Sequence, residues 1–254
     1  MKSLFTVCVS ILLIFSCKEA TTKKNDVSST KTSDQIMAED EPTNVQANHD
    51  VRAISEVFEI DTSPFALPSF LSDQKELLHQ SSWEDKNGTN QLIIQREGPI
   101  ENEAEGLLSP SYTAQIYAYQ LLASKEGEPQ VLWDIYDFEK DCEFDLWIGL
   151  IPNTLRITDL DRDGISETTL VYKKTCRSDV SPATMKLIMH EGEEKMALRG
   201  FMKLPSDFGV MSSDDDRIGS YEDEKDFANQ PESFLIFAKN HWKAFVEEKE
   251  FDQF

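Results

Sequence analysis

Short apolar runs, cut at close intervals by turn residues, fill the chain from Leu92 to Arg199 and leave little room for long helices there. Phe144, Leu146, Ile148 and Leu150 alternate with Asp145, Trp147 and Gly149, the two-residue period of a half-buried strand. Ala114 to Ala123 and Val131 to Phe138 are apolar and aromatic, with Gly127 and Pro129 between them. They predict a long β-hairpin, with Tyr117, Tyr119, Trp133 and Tyr136 available for cross-strand packing. Asn87-Gly88 predicts a tight turn between a Trp83-bearing segment and Leu92-Ile93-Ile94, because both residues tolerate positive φ. Met185 to His190 and Lys195 to Arg199 predict a further hairpin about Glu191-Gly192-Glu193. Gly98 to Tyr112 is polar and reads as a loop, and Ser72 to Lys75 reads as one capped helical turn. The tail differs. Asn229 to Phe254 predicts a helix, with Asn229 as cap, Pro231 in the first turn, and Leu235, Ala238, Trp242, Phe245 and Val246 at helical spacing. The expected fold class is mainly β (α+β): an antiparallel β-sheet domain with a C-terminal α-helix.

The start of the chain reads as an address. Lys2 precedes a largely apolar stretch, Leu4 to Phe15, of signal-peptide length and too short to span a bilayer. It ends in Ile14-Phe15-Ser16-Cys17, which resembles the lipobox of bacterial lipoproteins. Residues 1–17 are therefore expected to be a lipoprotein signal peptide, with lipid on Cys17 anchoring the protein to the membrane. Residues 18–50 are rich in Lys, Thr, Ser, Asp and Glu and read as a disordered tether, and residues 51–254 as the folded domain. Lys18-Glu19 partly resembles the surface-export signal of Bacteroidota lipoproteins, with Ala20 where another acid is expected. The expected location is the cell envelope, as an outer-membrane lipoprotein facing periplasm or cell surface. Cys8 lies in the leader, so Cys142 and Cys176 remain as an even pair in an exported protein, where disulfides persist. Thiol metal ligands or two free buried cysteines are the alternatives.

The pair encloses an acidic stretch, Asp159-Leu160-Asp161-Arg162-Asp163-Gly164-Ile165-Ser166-Glu167. Apolar alternation enters it from Leu155-Arg156-Ile157 and leaves through Thr169-Leu170-Val171-Tyr172, so it reads as strand, tight loop, strand. It resembles the Asp-x-Asp-x-Asp-Gly calcium loops of several unrelated exported folds, integrin-type repeats and dockerins among them. A wound loop turns alternate side chains toward one point, and Gly164 permits the bend. The expected ligands are the carboxylates of Asp159, Asp161, Asp163 and Glu167 and the carbonyl of Ile165. The expected ion is Ca²⁺ in a structural role, since an all-protein oxygen cage suits calcium better than magnesium. Leu170 stands where an EF-hand carries its last acid, and Ser166 where it carries an aliphatic residue, so this is not an EF-hand. Asp214-Asp215-Asp216 and Glu222-Asp223-Glu224 are consecutive acids, which do not converge on one ion, and read as solvated.

Charge and missing motifs narrow the function classes. Of the net charge of −22, residues 1–50 hold five lysines and seven acids, a sum of −2, which leaves −20 on the folding part. That argues against nucleic acid as a partner. His49, His79, His190 and His241 show no zinc-type spacing, and no nucleophile elbow, phosphate loop or dinucleotide fingerprint occurs. No catalytic residue is assigned, and the reading leans away from an enzyme.

Several segments carry a further resemblance: Trp83-Glu84-Asp85-Lys86-Asn87-Gly88, Asp141-Cys142-Glu143, Ile157 to Gly164, Cys176 to Pro182, and Lys186-Leu187-Ile188-Met189. Together they are similar to uncharacterised Bacteroidota lipoproteins, some labelled surface-polysaccharide (lipopolysaccharide) biosynthesis proteins, over roughly residues 80–200. The resemblance implies a process and no catalytic residues, and it supports pairing Cys142 with Cys176. The leading expectation is a non-enzymatic binding or assembly role in the envelope, with an envelope glycan or envelope protein as partner. The alternatives are a glycan-acting enzyme using Asp/Glu chemistry, marked by a deep cleft with two facing carboxylates, or a purely structural surface lipoprotein.

Overall fold

Among the described residues, nine strands pair antiparallel in two sheets. The computed structural model describes residues 57–102, 110–124, 127–204, 217–249, 251–252 and 254. The leader, Cys17, the 18–50 segment and Asp214-Asp215-Asp216 lie outside the described residues. Sheet one runs β1 (Glu76–Asp85), β2 (Gly88–Glu101), β3 (Tyr112–Leu122) and β4 (Gln130–Cys142) in sequence order. Sheet two holds β5 (Asp145–Leu150), β6 (Arg156–Thr158), β7 (Glu167–Arg177), β8 (Thr184–Glu191) and β9 (Glu194–Phe201). Its order is β5-β7-β8-β9, with β6 pairing the first residues of β7 and β5 the later ones. A helix, α1 (Glu232–Phe245), follows. The chain is mainly antiparallel β with a C-terminal helix, as the alternation predicts.

Alternation places two cores on the two faces of sheet two. Leu170, Tyr172, Ile188 and Ala197 face sheet one and meet Trp83, Leu92, Ile94, Ile116 and Ile135. Val171, Leu187, Met189, Met196 and Leu198 face the other way, onto Phe234, Ala238 and Trp242 of α1. The first core contains a polar stitch: Gln120 accepts from the Trp133 indole (3.0 Å) and the Thr168 hydroxyl (2.7 Å), and donates to Asn90 (2.9 Å). The His190 ring stacks on Trp133 at 4.1 Å, and burial pushes its pKa down to about 3.

Local expectations hold in part. The turn joining β1 and β2 sits on Lys86-Asn87, between the paired Asp85 and Gly88, one residue earlier than Asn87-Gly88 predicts. Ser72 to Lys75 forms turns and no helix; the Gln74 N–H bonds the Ser72 hydroxyl at 3.2 Å. Within the expected loop Gly98 to Tyr112, β2 continues through Glu101 because β3 supplies it with partners as far as Tyr112. Gly98 makes that pairing possible: a Cβ there would lie 2.9 Å from the Ala114 Cα, and its φ is +126°.

The helix is shorter than predicted at both ends. Pro231 occupies the cap position, with no side-chain cap, and Asn229 lies outside. After Phe245 the chain leaves the helical path, because Glu248 has stronger partners elsewhere. Glu248 is fully buried and accepts from Lys173 (2.8 Å) and both Arg177 terminal nitrogens (3.0 and 2.9 Å). Lys173 also pairs with Asp252 at 2.9 Å, and the Arg177 guanidinium lies 4.3 Å from the Phe251 ring centroid. The tail is a strap fixed by a buried ion cluster.

Cys142 and Cys176 form a disulfide with Cα atoms 5.6 Å apart, tying the end of β4 to β7. Reduction should lower unfolding free energy by about 3–4 kcal/mol, the loop entropy released by a closure of this length. Denaturant curves with and without reductant measure it, and identical midpoints would contradict it. Glu248→Ala should cost about 3–5 kcal/mol by the same method, because it removes the buried carboxylate that Lys173 and Arg177 share.

Candidate metal centre

The acidic loop is a wide hairpin end that several strands hold in place. Thr158 and Glu167 are register partners, so β6 and β7 close directly below it. Positive φ at Arg162 (66°) and Gly164 (85°) winds the chain between them. Asp161 accepts the Asp163 N–H (3.1 Å) and Asp163 accepts the Ile165 N–H (2.7 Å), each a side chain mimicking a backbone turn. Leu160 is half-buried against the helix-side core, which anchors the loop from below.

The β1–β2 turn of the other sheet docks on this loop. The Lys86 N–H donates to the Gly164 carbonyl at 2.9 Å, and the Lys86 ammonium to the Asp163 carbonyl at 3.2 Å. Ser166 is the hub. Its N–H and hydroxyl donate to Asp85 (3.1 and 2.8 Å), and its oxygen accepts the Trp83 indole N–H at 2.9 Å. The serine that departs from the EF-hand pattern is therefore the residue that joins the loop to β1.

The carboxylates converge in two overlapping groups. One oxygen each from Asp159, Asp161 and Glu167 lie within 4.8 Å of one another, and the same holds for Asp161, Asp163 and Glu191. Two oxygens bound to one Ca²⁺ at 2.3–2.6 Å are at most about 5 Å apart, so either group fits one ion. Asp159 and Glu167 thus meet Asp161 in one group and Asp163 meets it in the other, so neither group holds all four expected carboxylates. Ile165 sits in the same loop, its N–H engaged by Asp163.

Glu191 is the residue that sequence reading missed. It ends β8, opposite Glu167 in the β7–β8 register. Like charges directly opposite on one face destabilise a sheet unless something neutralises them. Glu167 is fully buried and accepts the Thr158 hydroxyl (2.7 Å) and the Leu160 N–H (2.9 and 3.0 Å). Burial, with repulsion from Glu191 and Asp161, still raises its pKa to about 7. Burial, then Asp161, Asp163 and Asp159, raises Glu191 to about 7 as well. Asp159 Oδ1 and Glu191 Oε1 are shielded from water and accept no hydrogen bond among the described residues. Buried carboxylate oxygens without donors, in repulsive contact, are what a hard cation satisfies. The only sequence signal for Glu191 was its place just before the Gly192 turn, which becomes informative once the register is known.

Other acids are arranged differently. Glu222 to Glu224 is partly paired: Glu224 meets Lys239 at 2.7 Å and Asp223 meets Lys225 at 3.1 Å. An open concavity of about 490 Å³ beside Trp83 is lined in part by Glu59, Asp61 and Glu84. Hydrogen bonds from Ser63 hold the Asp61 carboxyl below its ordinary range. No family model, curated protein or solved structure matches this chain.

In chelator, the contribution of Glu167 and Glu191 to stability should fall as pH rises from about 4.5 to about 7, while the buried His190 and His241, with pKa values lowered to about 3 and about 4, contribute in the opposite sense. Glu167 and Glu191 titrate higher in the folded state than their ordinary 4.5, so the native state binds more protons in that window and loses its advantage as they ionise. Melting temperatures of the protein and of Glu191→Gln at pH 5 and pH 8 test this: the variant should gain on its parent as pH rises. A difference between the two that is the same at both pH values would refute the repulsion.

Proposed function

We propose that this chain is a lipid-anchored cell-envelope protein whose acidic loop holds a structural Ca²⁺. Its role is non-enzymatic binding or assembly linked to surface polysaccharide. The observation that carries the metal reading is the facing pair Glu167 and Glu191, with donorless oxygens on Glu191 and Asp159. Asp159, Asp161, Asp163 and Glu167, the Ile165 carbonyl and Glu191 would supply the oxygen shell. The ion would neutralise the meeting of β6, β7 and β8 and so fix the loop on which the β1–β2 turn rests. Lipid on Cys17 would place the protein at the outer membrane, facing periplasm or cell surface.

Two features support a binding role. The acids whose pKa values are raised to about 7 are Glu167, which closes the loop, and Glu191, opposite it on β8, where a cation would hold them as ligands. Exposed aromatic side chains gather on an open sheet face. A glycan-acting enzyme is the second reading, favoured by the concavity that Glu59, Asp61 and Glu84 share with Trp83. Turnover of envelope glycans that is lost in Glu84→Gln would establish it over the first.

Calcium at millimolar concentration should raise the melting temperature of the chelated protein, and Asp161→Ala, which both oxygen groups use, should abolish the rise. Equal melting curves in calcium and chelator would sink the metal site. Cys17→Ser should move the protein from the membrane fraction to the soluble fraction, and unchanged partition would remove the anchor.

A further inference from the structure

Sheet one turns a row of rings outward. Tyr117 and Tyr136 are register partners across β3 and β4, with ring centroids 5.2 Å apart. Phe138, two positions along β4, lies 5.6 Å from Tyr136. Phe70, from the segment before β1, meets Tyr119 edge-on at 6.4 Å. The residues alternating with these, Ile116, Ala118 and Ile135, are in the core between the sheets, so the rings face away from it. Tyr136 is 50% exposed and Phe70 49%. Exposed rings gathered on one face mark an interaction surface, since isolated ones would need no explanation.

Charge narrows the occupant. The Lys75 ammonium lies 3.3 Å from the Tyr117 ring centroid, and Lys140 4.2 Å from that of Phe138. A cationic ligand would compete for ring faces already taken and would be repelled by their occupants. Glu97 stands on the same face, accepting the Tyr117 hydroxyl at 3.3 Å, and Asp134 is the partner of Tyr119 across the ladder. An anionic ligand would meet these carboxylates on a folding part that carries −20. What remains is a neutral ligand with apolar faces for the rings and hydroxyls for the acids between them. A pyranose presents both, C–H groups on its faces and hydroxyls around its edge. Consecutive outward positions along β4 are about 7 Å apart, room for about one sugar ring per aromatic ring.

We infer that the outer face of sheet one, centred on Tyr136, binds a neutral polysaccharide. A sugar ring lies on Tyr136, and its hydroxyls bond the Glu97 and Asp134 carboxylates. This rests on the envelope-binding reading above and names its surface and ligand class.

Affinity electrophoresis of the full chain in gels containing dextran, mannan, xylan or glycogen tests it. Polygalacturonate gels and titration with hexalysine serve as the anionic and cationic arms. At least one neutral polysaccharide should retard the protein. Tyr136→Ala should weaken that binding about tenfold or more, and Tyr136→Phe should change it less than threefold. Should Tyr136→Ala shift the melting temperature, Asp134→Ala, an exposed position, supplies the second reading and should also weaken binding. Binding confined to polygalacturonate or hexalysine overturns the inference, as does no retardation by any neutral polymer. Retardation that survives Tyr136→Ala and Asp134→Ala overturns this surface and leaves the envelope-binding reading standing. Loss of calcium stabilisation with Tyr136-dependent retardation intact would instead strike the metal reading alone.

Discussion

Strand β7 has almost no solvent face. One side of it enters the core between the sheets and the other the core beneath α1, and nine of its eleven residues are buried. Its polar residues must therefore find partners inside the protein. Thr168 finds Gln120, Lys174 finds Asp137, and Lys173 and Arg177 find Glu248. Each of these ties a different part of the chain to the same strand: β3, β4 and the C-terminal strap. Glu167, the first residue of β7, has hydrogen-bond donors but no ion pair among the described residues, and the charges that perturb it belong to the acids Glu191 and Asp161. The strand that organises the fold thus begins with a buried carboxylate that faces another acid across the ladder.

Local patterns showed most of the fold. Alternation marked the strands, and the Gly192 and Gly127 segments marked the turns of two hairpins. The acidic loop was legible because its carboxylates lie in one short stretch. Glu191 was not, because its contact with Glu167 exists only through the β7–β8 register. The helix end was misplaced for a related reason. Val246 keeps helical spacing, yet a buried carboxylate facing two cations outweighs another half-turn of helix. The continuation of β2 past Gly98 was hidden because polarity says little about an outer strand with a partner waiting.

Ser166 shows how a departure from a pattern can carry information. In a free-standing calcium loop that position packs an apolar side chain. Here it hydrogen-bonds to Asp85 and Trp83, so the loop belongs to both sheets at once. The outward rings of Tyr136 and Phe138 lie on the opposite face of sheet one from the core that contains Trp83. The loop and the aromatic row are thus joined through the body of one sheet.

The disulfide and the Ser166 hub fasten the sheets near opposite ends of β7. Cys176 is nine residues along from Glu167, about 30 Å at strand rise. One fastening is covalent and indifferent to ions; the other rests on a loop crowded with negative charge. Between them lie the shared core and the ties of Thr168 to Gln120 and Tyr172 to Asp137, so the two sheets are joined along the length of β7 by fastenings of three different chemistries.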